Sequence, residues 1–443
     1  MKTIRIGSGA GYGGDRLEPA LTLLEKGNLD YLCFECLAER TIALAQKEKR
    51  ANPEKGYNHL LEYRINEVLP LAKETNTKII SNMGAANPMS AMRKTAEIAQ
   101  NLGIKGLKIA AVYGDDVLDQ LTDLKELKIL ETGEPLHSLG DAIISANAYL
   151  GVDGILQALK SGADIILTGR VSDPALFLAP MIYEFGWEMN DYGKLGKGTL
   201  IGHLLECAGQ LSGGYFADLQ QKFVPELWDL GFPFAQVDEK GDGYVSKVDG
   251  TGGKITPATC TEQLLYEIHD PANYLTPDCI ADFSQVEFKT LAENKIQFQG
   301  GSGKKPTDFY KVSVGYRNGF SGEGQISYGG YDCVNRAKWA GEIVRKRLEK
   351  WGFEEIKTEL IGYDSITPYE ANPASIPEVR LRISAKAATL DMARKVGQEV
   401  ETLYTNGPAA GGGVSQSAEE IISVVSVLLP KELAQAKVEY LNC

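Results

Sequence analysis

The stretch TIRIGSGAGYGGDR, residues 3–16, opens the chain with a short apolar run that leads directly into a glycine-rich turn. A helical pattern follows it, and the same unit of apolar run, turn and helix recurs. The further strand candidates are residues 30–34, 78–81, 107–112 and 164–168. Uninterrupted apolar strands that alternate with helices are typical of a parallel sheet covered on both faces. Only five such strands precede a change of pattern, so we predict an α/β fold with an N-terminal doubly wound, mostly parallel sheet rather than a barrel.

The pattern changes after Phe216, and residues 231–257 contain many glycine, aspartate and proline residues. Such a composition is typical of a linker or of an ordered functional loop. Beyond it, the order two strands, helix, two strands, helix, strand predicts a smaller α+β domain. We therefore expect a Rossmann-like α/β domain over residues 1–230. Residues 231–443 should form the α+β domain, with glycine-rich loops that face an interdomain cleft.

Composition and charge narrow the classes of partner. The chain has 443 residues, with 46 Lys and Arg against 59 Asp and Glu, a net charge of −13, and 43% hydrophobic residues. This much apolar material can fill a core, and an acidic chain lacks the basic surface that nucleic acid requires. No apolar run has the length of a membrane helix, and seven cysteines are few enough to suit a reducing compartment. We expect a cytoplasmic protein with neither a nucleic-acid nor a membrane partner.

The glycine-rich turn matches the pattern G-x-G-x-x-G at Gly9, Gly11 and Gly14, and Glu35 stands 21 residues beyond the last of these. Bare backbone at a helix N-terminus can hold a pyrophosphate, and a carboxylate at that spacing can bind ribose hydroxyls. The alternative is an ordinary turn whose Asp15 caps the helix. The candidate anion-binding residues of this region are Gly9, Gly11, Gly13, Gly14, Asp15 and Glu35.

Polar residues also follow the third and the fifth predicted strands. Asn82 can donate or accept hydrogen bonds in a ligand site, although an Asn-Pro turn that starts the next helix is the alternative. Arg170 has a guanidinium fork that suits a carboxylate or a phosphate, against the alternative of a structural ion pair. Asp173 precedes Pro174, which is typical of a helix start, and it is also a candidate for proton transfer.

His203 lies in a helical pattern of apolar and small residues, so it is either a hydrogen-bonded core histidine or a proton-transfer group. Two later glycine-rich loops, at 249–254 and 407–413, can expose backbone N–H groups to an anion or an oxyanion, against the alternative of flexible connections. Their candidate residues are Thr251, Gly252, Gly411, Gly412 and Gly413. No histidines and cysteines have metal-ligand spacing, so we predict no metal ligand and assign no cofactor.

Eight sequence blocks along almost the whole chain resemble the acyclic terpene utilisation family. They are GSGAGYGGDR (7–16), YLCFECLAERTIALAQ (31–46), NMGAANP (82–88), ANAYLG (146–151), ADIILTGRVSDPAL (163–176), GTLIGHLLECAGQLSGGYFAD (198–218), GTGGKITPATCTEQLLYEIHDPANYLTPD (250–278) and GPAAGGG (407–413). The resemblance implies a context of acyl-CoA and branched-acid breakdown, beside biotin-dependent acyl-CoA carboxylases and enoyl-CoA hydratases. It implies no agreed reaction and no agreed catalytic residues, but it gives more weight to a functional His203.

The leading hypothesis is an enzyme of acyl-CoA or branched carboxylic-acid catabolism, of the lyase or hydratase type, with a small anionic substrate such as an acyl-CoA between the domains. His203 or Asp173 would move protons, Arg170 and the first glycine-rich loop would hold the anion, and the amides of 411–413 would stabilise an oxyanion. A nonenzymatic binding or assembly partner of an acyl-CoA carboxylase is the first alternative. A dinucleotide-dependent oxidoreductase is the second, and in each case we expect a homo-oligomer.

Overall fold

The computed structural model of the chain describes residues 2–122, 127–366 and 372–443. Its contacts divide the chain into two compact units. Unit 1 comprises Met1–Gly315 with Val424–Cys443, and unit 2 comprises Tyr316–Ser423. The expected domains at 1–230 and 231–443, and the cleft between them, stay a prediction.

The structure contains strands and helices throughout both units. The strands are β1 Thr3–Ala10, β2 Tyr31–Phe34, β3 Lys78–Ser81, β4 Lys108–Tyr113, β5 Ile143–Ala148, β6 Ile165–Thr168, β7 Pro233–Asp238, β8 Gly243–Lys247, β9 Tyr274–Leu275, β10 Ile280–Asp282, β11 Glu287–Ala292, β12 Lys295–Gln299, β13 Ser302–Lys304, β14 Phe309–Gly329, β15 Ile356–Ile361, β16 Glu378–Ala387, β17 Gly411–Pro430 and β18 Lys437–Asn442. The helices are α1 Glu18–Lys26, α2 Glu39–Ala51, α3 Leu61–Thr75, α4 Pro88–Asn101, α5 Leu118–Thr122, α6 Asp153–Lys160, α7 Ala175–Phe185, α8 Tyr192–Glu206, α9 Pro257–Leu265, α10 Cys333–Lys350, α11 Leu390–Glu401 and α12 Leu403–Asn406.

Unit 1 is built on a ten-stranded sheet in the order β11-β12-β8-β7-β1-β2-β3-β6-β4-β18. The five central strands, β1-β2-β3-β6-β4, pair in parallel, and they are the five strands that the sequence predicts. All four residues of β2 and of β6 are buried, as their uninterrupted apolar sequences require. The predicted α/β fold with a mostly parallel N-terminal sheet is confirmed.

Helices cover this sheet and supply its core. α1, α3 and α4 pack together against the strands in one cluster, which includes Leu23, Ile65, Ala96 and Leu167. α7 and α8 pack against each other and contact β1, and α6 contacts β4 and β6. The connections from each parallel strand to its following helix therefore gather at one edge of the sheet, the usual place for a ligand in such folds.

Residues 231–257 are not a linker. β7 pairs antiparallel with β1, and β8 pairs antiparallel with β7, so this segment extends the main sheet. The glycine and aspartate residues at 238–243 form the tight turn between the two strands, in which Gly241 has φ +75°. The glycine and aspartate residues of one hairpin turn therefore dominate the composition of the segment, although its strands contain apolar residues such as Phe234 and Val237.

The second large sheet has five strands: β15-β16-β14-β17 are neighbours in that order, and β5 also pairs with β14. In unit 2, α10 and α11 pack on this sheet. The antiparallel pairing of β14 with β16 and of β15 with β16 accounts for the predicted α+β pattern. The first two strands predicted for the α+β domain are one continuous strand, β14. None of the helices within the described residues combines the length and the apolar composition that a membrane-spanning segment needs.

Candidate functional site

Two adjoining cavities lie beside the loops that follow β1, β2 and β6, and every residue that lines them belongs to unit 1. Their volumes are about 570 Å³ and about 310 Å³. The larger cavity includes part of the glycine-rich loop, and the smaller one includes the side chains of Leu130, Tyr274 and Phe309. The residues that line both cavities, called the shared wall here, are Glu39, Asp173, Glu206, Tyr266 and Glu267.

Glu35 follows β2 directly and lines the larger cavity, with 8% of its surface exposed. Its Oε1 accepts a hydrogen bond of 2.9 Å from the amide of Asn82 and another of 2.9 Å from the backbone N–H of Leu37. Burial raises the pKa of Glu35 to about 7, and the charge of Arg170 and these hydrogen bonds offset only part of that effect. At neutral pH this carboxyl can therefore either hold or release a proton.

A buried histidine–glutamate pair lies at the C-terminal end of α8. Nδ1 of His203 is 2.7 Å from Oε1 of Glu206, and Nε2 is 3.1 Å from the carbonyl oxygen of Leu264. Because a carbonyl oxygen only accepts hydrogen bonds, Nε2 carries a hydrogen. One further proton must then lie between Nδ1 and Oε1, which makes the pair either imidazolium with carboxylate or imidazole with carboxylic acid.

The electrostatics of this pair favour a proton held between the two groups. Burial raises the pKa of Glu206, and the charge of His203 offsets part of that effect. Burial also opposes the imidazolium form, but the charge and hydrogen bond of Glu206 prevail and raise the pKa of His203. His203 lines the smaller cavity. Both of its ring nitrogens are hydrogen-bonded within the protein, so a proton can pass between the ring and a ligand only through Glu206.

Glu206 has a second oxygen that lacks a partner. Its Oε2 is buried and receives no hydrogen bond within the described part of the chain, and the Oγ of buried Ser172 is in the same condition. Glu206 lines both cavities and Ser172 lines the smaller one. Because an unpaired buried polar atom costs free energy, the natural partner for each of these atoms is a ligand or a water molecule in the cavity.

Glu39 on the shared wall is held as an anion. Tyr149 donates a hydrogen bond of 2.5 Å to it, and Nζ of Lys311 lies 3.3 Å away. Although burial opposes ionisation, these contacts and the charge of Arg170 lower the pKa of Glu39 to about 2. The site thus combines one carboxylate that stays charged with two carboxyls, Glu35 and Glu206, that bind protons more readily.

Arg170 lies behind this wall and lines neither cavity. It is buried, and it donates hydrogen bonds to Asp173 and to the carbonyl oxygens of Val171 and Leu37. Its guanidinium carbon also lies 4.3 Å from the centre of the Tyr149 ring. These contacts match the structural ion pair that the sequence left as the alternative, and Asp173 accordingly pairs with Arg170 instead of capping α7.

Asn82 is placed behind Glu35 and is fully buried. Its Nδ2 donates to Oε1 of Glu35, and its Oδ1 accepts a hydrogen bond of 2.7 Å from the backbone N–H of Cys36. Both ends of the amide are therefore used within the protein. Asn82 serves to orient the carboxyl of Glu35, and its hydrogen bond helps to lower the pKa of that carboxyl.

In the first glycine-rich loop, the carboxylate of Asp15 accepts a backbone hydrogen bond that an external anion could otherwise accept. The backbone N–H of Gly11 donates a hydrogen bond of 2.9 Å to Oδ2 of Asp15, and α1 begins only at Glu18, without a side-chain cap. A Cβ on Gly11 would come within 2.5 Å of the carbonyl carbon of Cys207, so packing accounts for this glycine. A Cβ on Gly9 would similarly contact a buried ring. The N–H of Gly11 is therefore already used within the protein and is not free to bind the pyrophosphate of a dinucleotide.

Only part of this loop reaches the site. Gly11, Gly13 and Asp15 line the larger cavity, together with the exposed Tyr12 and with Arg16. Gly9 lies within β1 and Gly14 lies beyond the residues that line the cavity.

The candidate residues of the later glycine-rich loops are not among the residues that line the two cavities. Nζ of Lys247 donates to the carbonyl oxygen of Thr251 at 2.7 Å, and the N–H of Gly252 donates to the carbonyl oxygen of Asp229. Gly411–Gly413 form the first residues of β17, in unit 2. None of these residues lines either cavity.

Sequence reasoning missed most of the shared wall. Glu206 stands three residues after His203 within one helical pattern, a spacing that places both on one face and could have revealed the pair. Tyr266 and Glu267 come from the loop after α9, which carries no motif, and Glu267 adopts the left-handed conformation with φ +58°. Within the described ranges, no group of three or more His, Cys, Asp and Glu side chains is arranged to hold a metal ion.

Comparison with known proteins gives one match. A family model described as acyclic terpene utilisation family protein AtuA matches residues 4–440. None of the curated proteins matches the chain. The matched range includes every residue of the shared wall.

Proposed function

The chain belongs to the acyclic terpene utilisation family, and from this premise we propose that it is an enzyme of acyl-CoA or branched carboxylic-acid breakdown, of the lyase or hydratase type. Family membership supports a part in the utilisation of acyclic terpenes. The observation that carries the chemical proposal is the pair of buried carboxyls, Glu35 and Glu206, on the walls of one cavity, both with raised pKa. Such groups are suited to proton transfer near neutral pH.

The proposed reaction adds water across a carbon–carbon double bond next to a carbonyl group, or removes it in reverse. The oxygen of water bonds to the β-carbon, a proton bonds to the α-carbon, and nothing is oxidised or reduced. Glu206, whose proton can move to His203, is the proposed base that takes the proton which water loses. Glu35 is the proposed acid that supplies the proton which the α-carbon gains.

His203 is a positioning residue in this proposal, because it holds Glu206 and shares its proton without reaching the cavity through a free nitrogen. Asp173 stands on the shared wall and is the second candidate for proton transfer. The oxyanion role of Gly411–Gly413 and the expected homo-oligomer stay predictions.

The experiment that tests the proposal is incubation with branched acyl-CoA esters, saturated and α,β-unsaturated, in D₂O. Mass spectrometry should show deuterium at the α-carbon and addition of water to the unsaturated esters. With the unsaturated esters, Glu206→Gln should slow both at least a hundredfold, about 2.7 kcal/mol in activation free energy, because their exchange accompanies the addition of water. Glu359→Gln, a buried glutamate of unit 2, is the matched control and should leave the rate unchanged.

The competing account is a binding or assembly partner of an acyl-CoA carboxylase. It predicts that no ester exchanges deuterium, and that variants of His203 and Arg170 keep their affinity for the partner. The enzymatic proposal fails if neither exchange nor hydration occurs with any ester of the series or with the corresponding acids.

A further inference from the structure

The walls of the larger cavity are strongly acidic. Six carboxyl groups line it: Asp15, Glu35, Glu39, Asp173, Glu206 and Glu267. Within the described residues that line either cavity, the lysines and arginines are Arg16 and Lys311. Lys311 is paired with Glu39, and Nη1 of Arg16 donates to the carbonyl oxygen of Trp228 at 2.9 Å. The wall of the larger cavity therefore presents a net negative charge to any ligand that enters it.

This charge distinguishes between the two substrate classes of the proposed function, which are acyl-CoA esters and free branched carboxylic acids. A free carboxylate would bring a like charge against the wall, where limited solvent strengthens Coulomb repulsion. The cation that could have relieved the repulsion, Arg170, is buried and already bonded to Asp173. An ester or thioester of the same acid presents an uncharged carbonyl and avoids the repulsion.

The unpartnered atoms of the wall suit such a neutral group. The Ser172 hydroxyl can donate to an ester carbonyl oxygen, and Oε2 of Glu206 can accept a hydrogen bond from the reacting water molecule. The smaller cavity adds apolar surface for the acyl chain from Leu130, Leu275 and Phe309. These features supply both a polar contact for the carbonyl and an apolar contact for the chain.

We infer that this cavity takes the reactive end of its substrate as an uncharged ester or thioester and rejects the free carboxylic acid. The inference rests on the proposed function only in locating the substrate at this cavity. A CoA thioester meets the requirement, because its pantetheine arm places the phosphates beyond the Debye length of about 8 Å from the thioester.

The test measures, by titration calorimetry at pH 8, the affinity of the protein for three forms of one branched, unsaturated five-carbon acyl group. The forms are the free acid, the neutral N-acetylcysteamine thioester and the CoA thioester. We expect both thioesters to bind at least tenfold more tightly than the acid. Glu267→Gln, at an exposed wall position, should reduce that ratio at least threefold, and Glu25→Gln, exposed on α1, should not change it.

Equal or tighter binding of the free acid, or no binding of any form, overturns the inference. So does a ratio that Glu267→Gln and Glu25→Gln change alike, because the discrimination would then not come from the wall. The outcome is separate from that of the deuterium experiment. Tight, ester-selective binding without deuterium exchange would reject the proposed reaction and keep the inference. Deuterium exchange on the free acid would support proton transfer at this site and reject the inference.

Discussion

Four glutamates of this protein are equally buried, each with 8% of its surface exposed, yet they fall into two opposite pairs. In unit 2, Glu399 receives hydrogen bonds of 3.0 and 3.1 Å from Arg347, and Glu359 receives one of 2.8 Å from Arg382. Although burial opposes ionisation, hydrogen bonds from Lys357 and Arg382 lower the pKa of Glu359, and those from Arg347 lower the pKa of Glu399. In unit 1, Glu35 and Glu206 lie at cavity walls, and burial raises the pKa of both.

The difference shows that a small exposed surface does not by itself separate a structural carboxylate from a chemical one, since the partner and the depth of burial decide the direction of the pKa shift. A guanidinium that grips a carboxylate keeps it charged and unreactive near pH 7. Within the described chain, neither Glu35 nor Glu206 has a lysine or arginine at ion-pairing distance, and their partners are an amide, a backbone N–H and a histidine. These partners allow the carboxyl groups of Glu35 and Glu206 to bind and release a proton.

The largest effect should come from Glu206. Glu206→Gln keeps the shape of the side chain and removes its ability to accept the proton that water loses. Hydration of the unsaturated esters, and the α-carbon exchange that accompanies it, should therefore fall by a factor of about 10² to 10⁴. His203→Gln should reduce the rate less, and it should also move the pH at which the rate is half-maximal, since His203 shares a proton with Glu206. Unchanged exchange in Glu206→Gln would remove this pair from the chemistry.

The second effect concerns stability and pH. The pKa of Glu35 rises from 4.5 to about 7 on folding, so the native state binds more protons than the unfolded state between these values. Stability from this group should therefore be present below pH 4.5 and be lost as pH rises towards 7, by about 3 kcal/mol at most. Urea unfolding of Glu35→Gln should show a shallower fall over this range, and an identical curve would contradict the assignment.

The third effect lies in unit 2 and should leave the chemistry intact. Glu399→Gln replaces two charge-assisted bonds from Arg347, whose side chain is half exposed, with at most one neutral bond. Solvent screening limits the loss to about 1–2 kcal/mol in the free energy of unfolding. Denaturant unfolding should show this loss while deuterium exchange keeps its rate, and a lost activity would argue that the two pairs of glutamates are not distinct in role.

The smallest expected effect concerns the hydrogen bond that Asn82 donates to Glu35. Asn82→Ala removes a hydrogen bond that helps to lower the pKa of Glu35, so the pH midpoint of the exchange rate should rise by about half a unit to one unit. The pH midpoint is the informative measurement, because loss of a buried amide also lowers stability. A midpoint that stays in place would show that Glu35 does not control the rate.

The parallel core of the fold could be predicted from the sequence because each central strand is a continuous apolar run between turn residues. The edge strands could not be predicted as well. β7 and β8 are separated by a turn rich in glycine and aspartate, and that turn dominates the composition of residues 231–257. β18 lies at the far edge, where only β4 pairs with it, and its sequence alternates without a strong apolar signal.

The site was predictable in part for a physical reason. Strand-end loops meet at one edge of a parallel sheet, so Glu35 and Asp173 could be placed near a ligand before any geometry was known. The roles of Arg170 and Gly11 were not predictable, because a guanidinium or a bare N–H attracts a ligand only when no protein carboxylate has taken it. Here Asp173 and Asp15 have done so.

The central claim is that Glu35 and the hydrogen-bonded pair of His203 and Glu206 hold exchangeable protons, whereas Glu359 and Glu399, with the same exposed fraction, stay ionised. Infrared difference spectroscopy of the protonated carboxyl stretch, recorded between pH 5 and pH 8, measures this directly. The account predicts that Glu35→Gln removes part of the protonated-carboxyl signal titrating near pH 7, and that Glu359→Gln leaves that signal unchanged. A signal that Glu35→Gln does not diminish, or that Glu359→Gln diminishes equally, would contradict it.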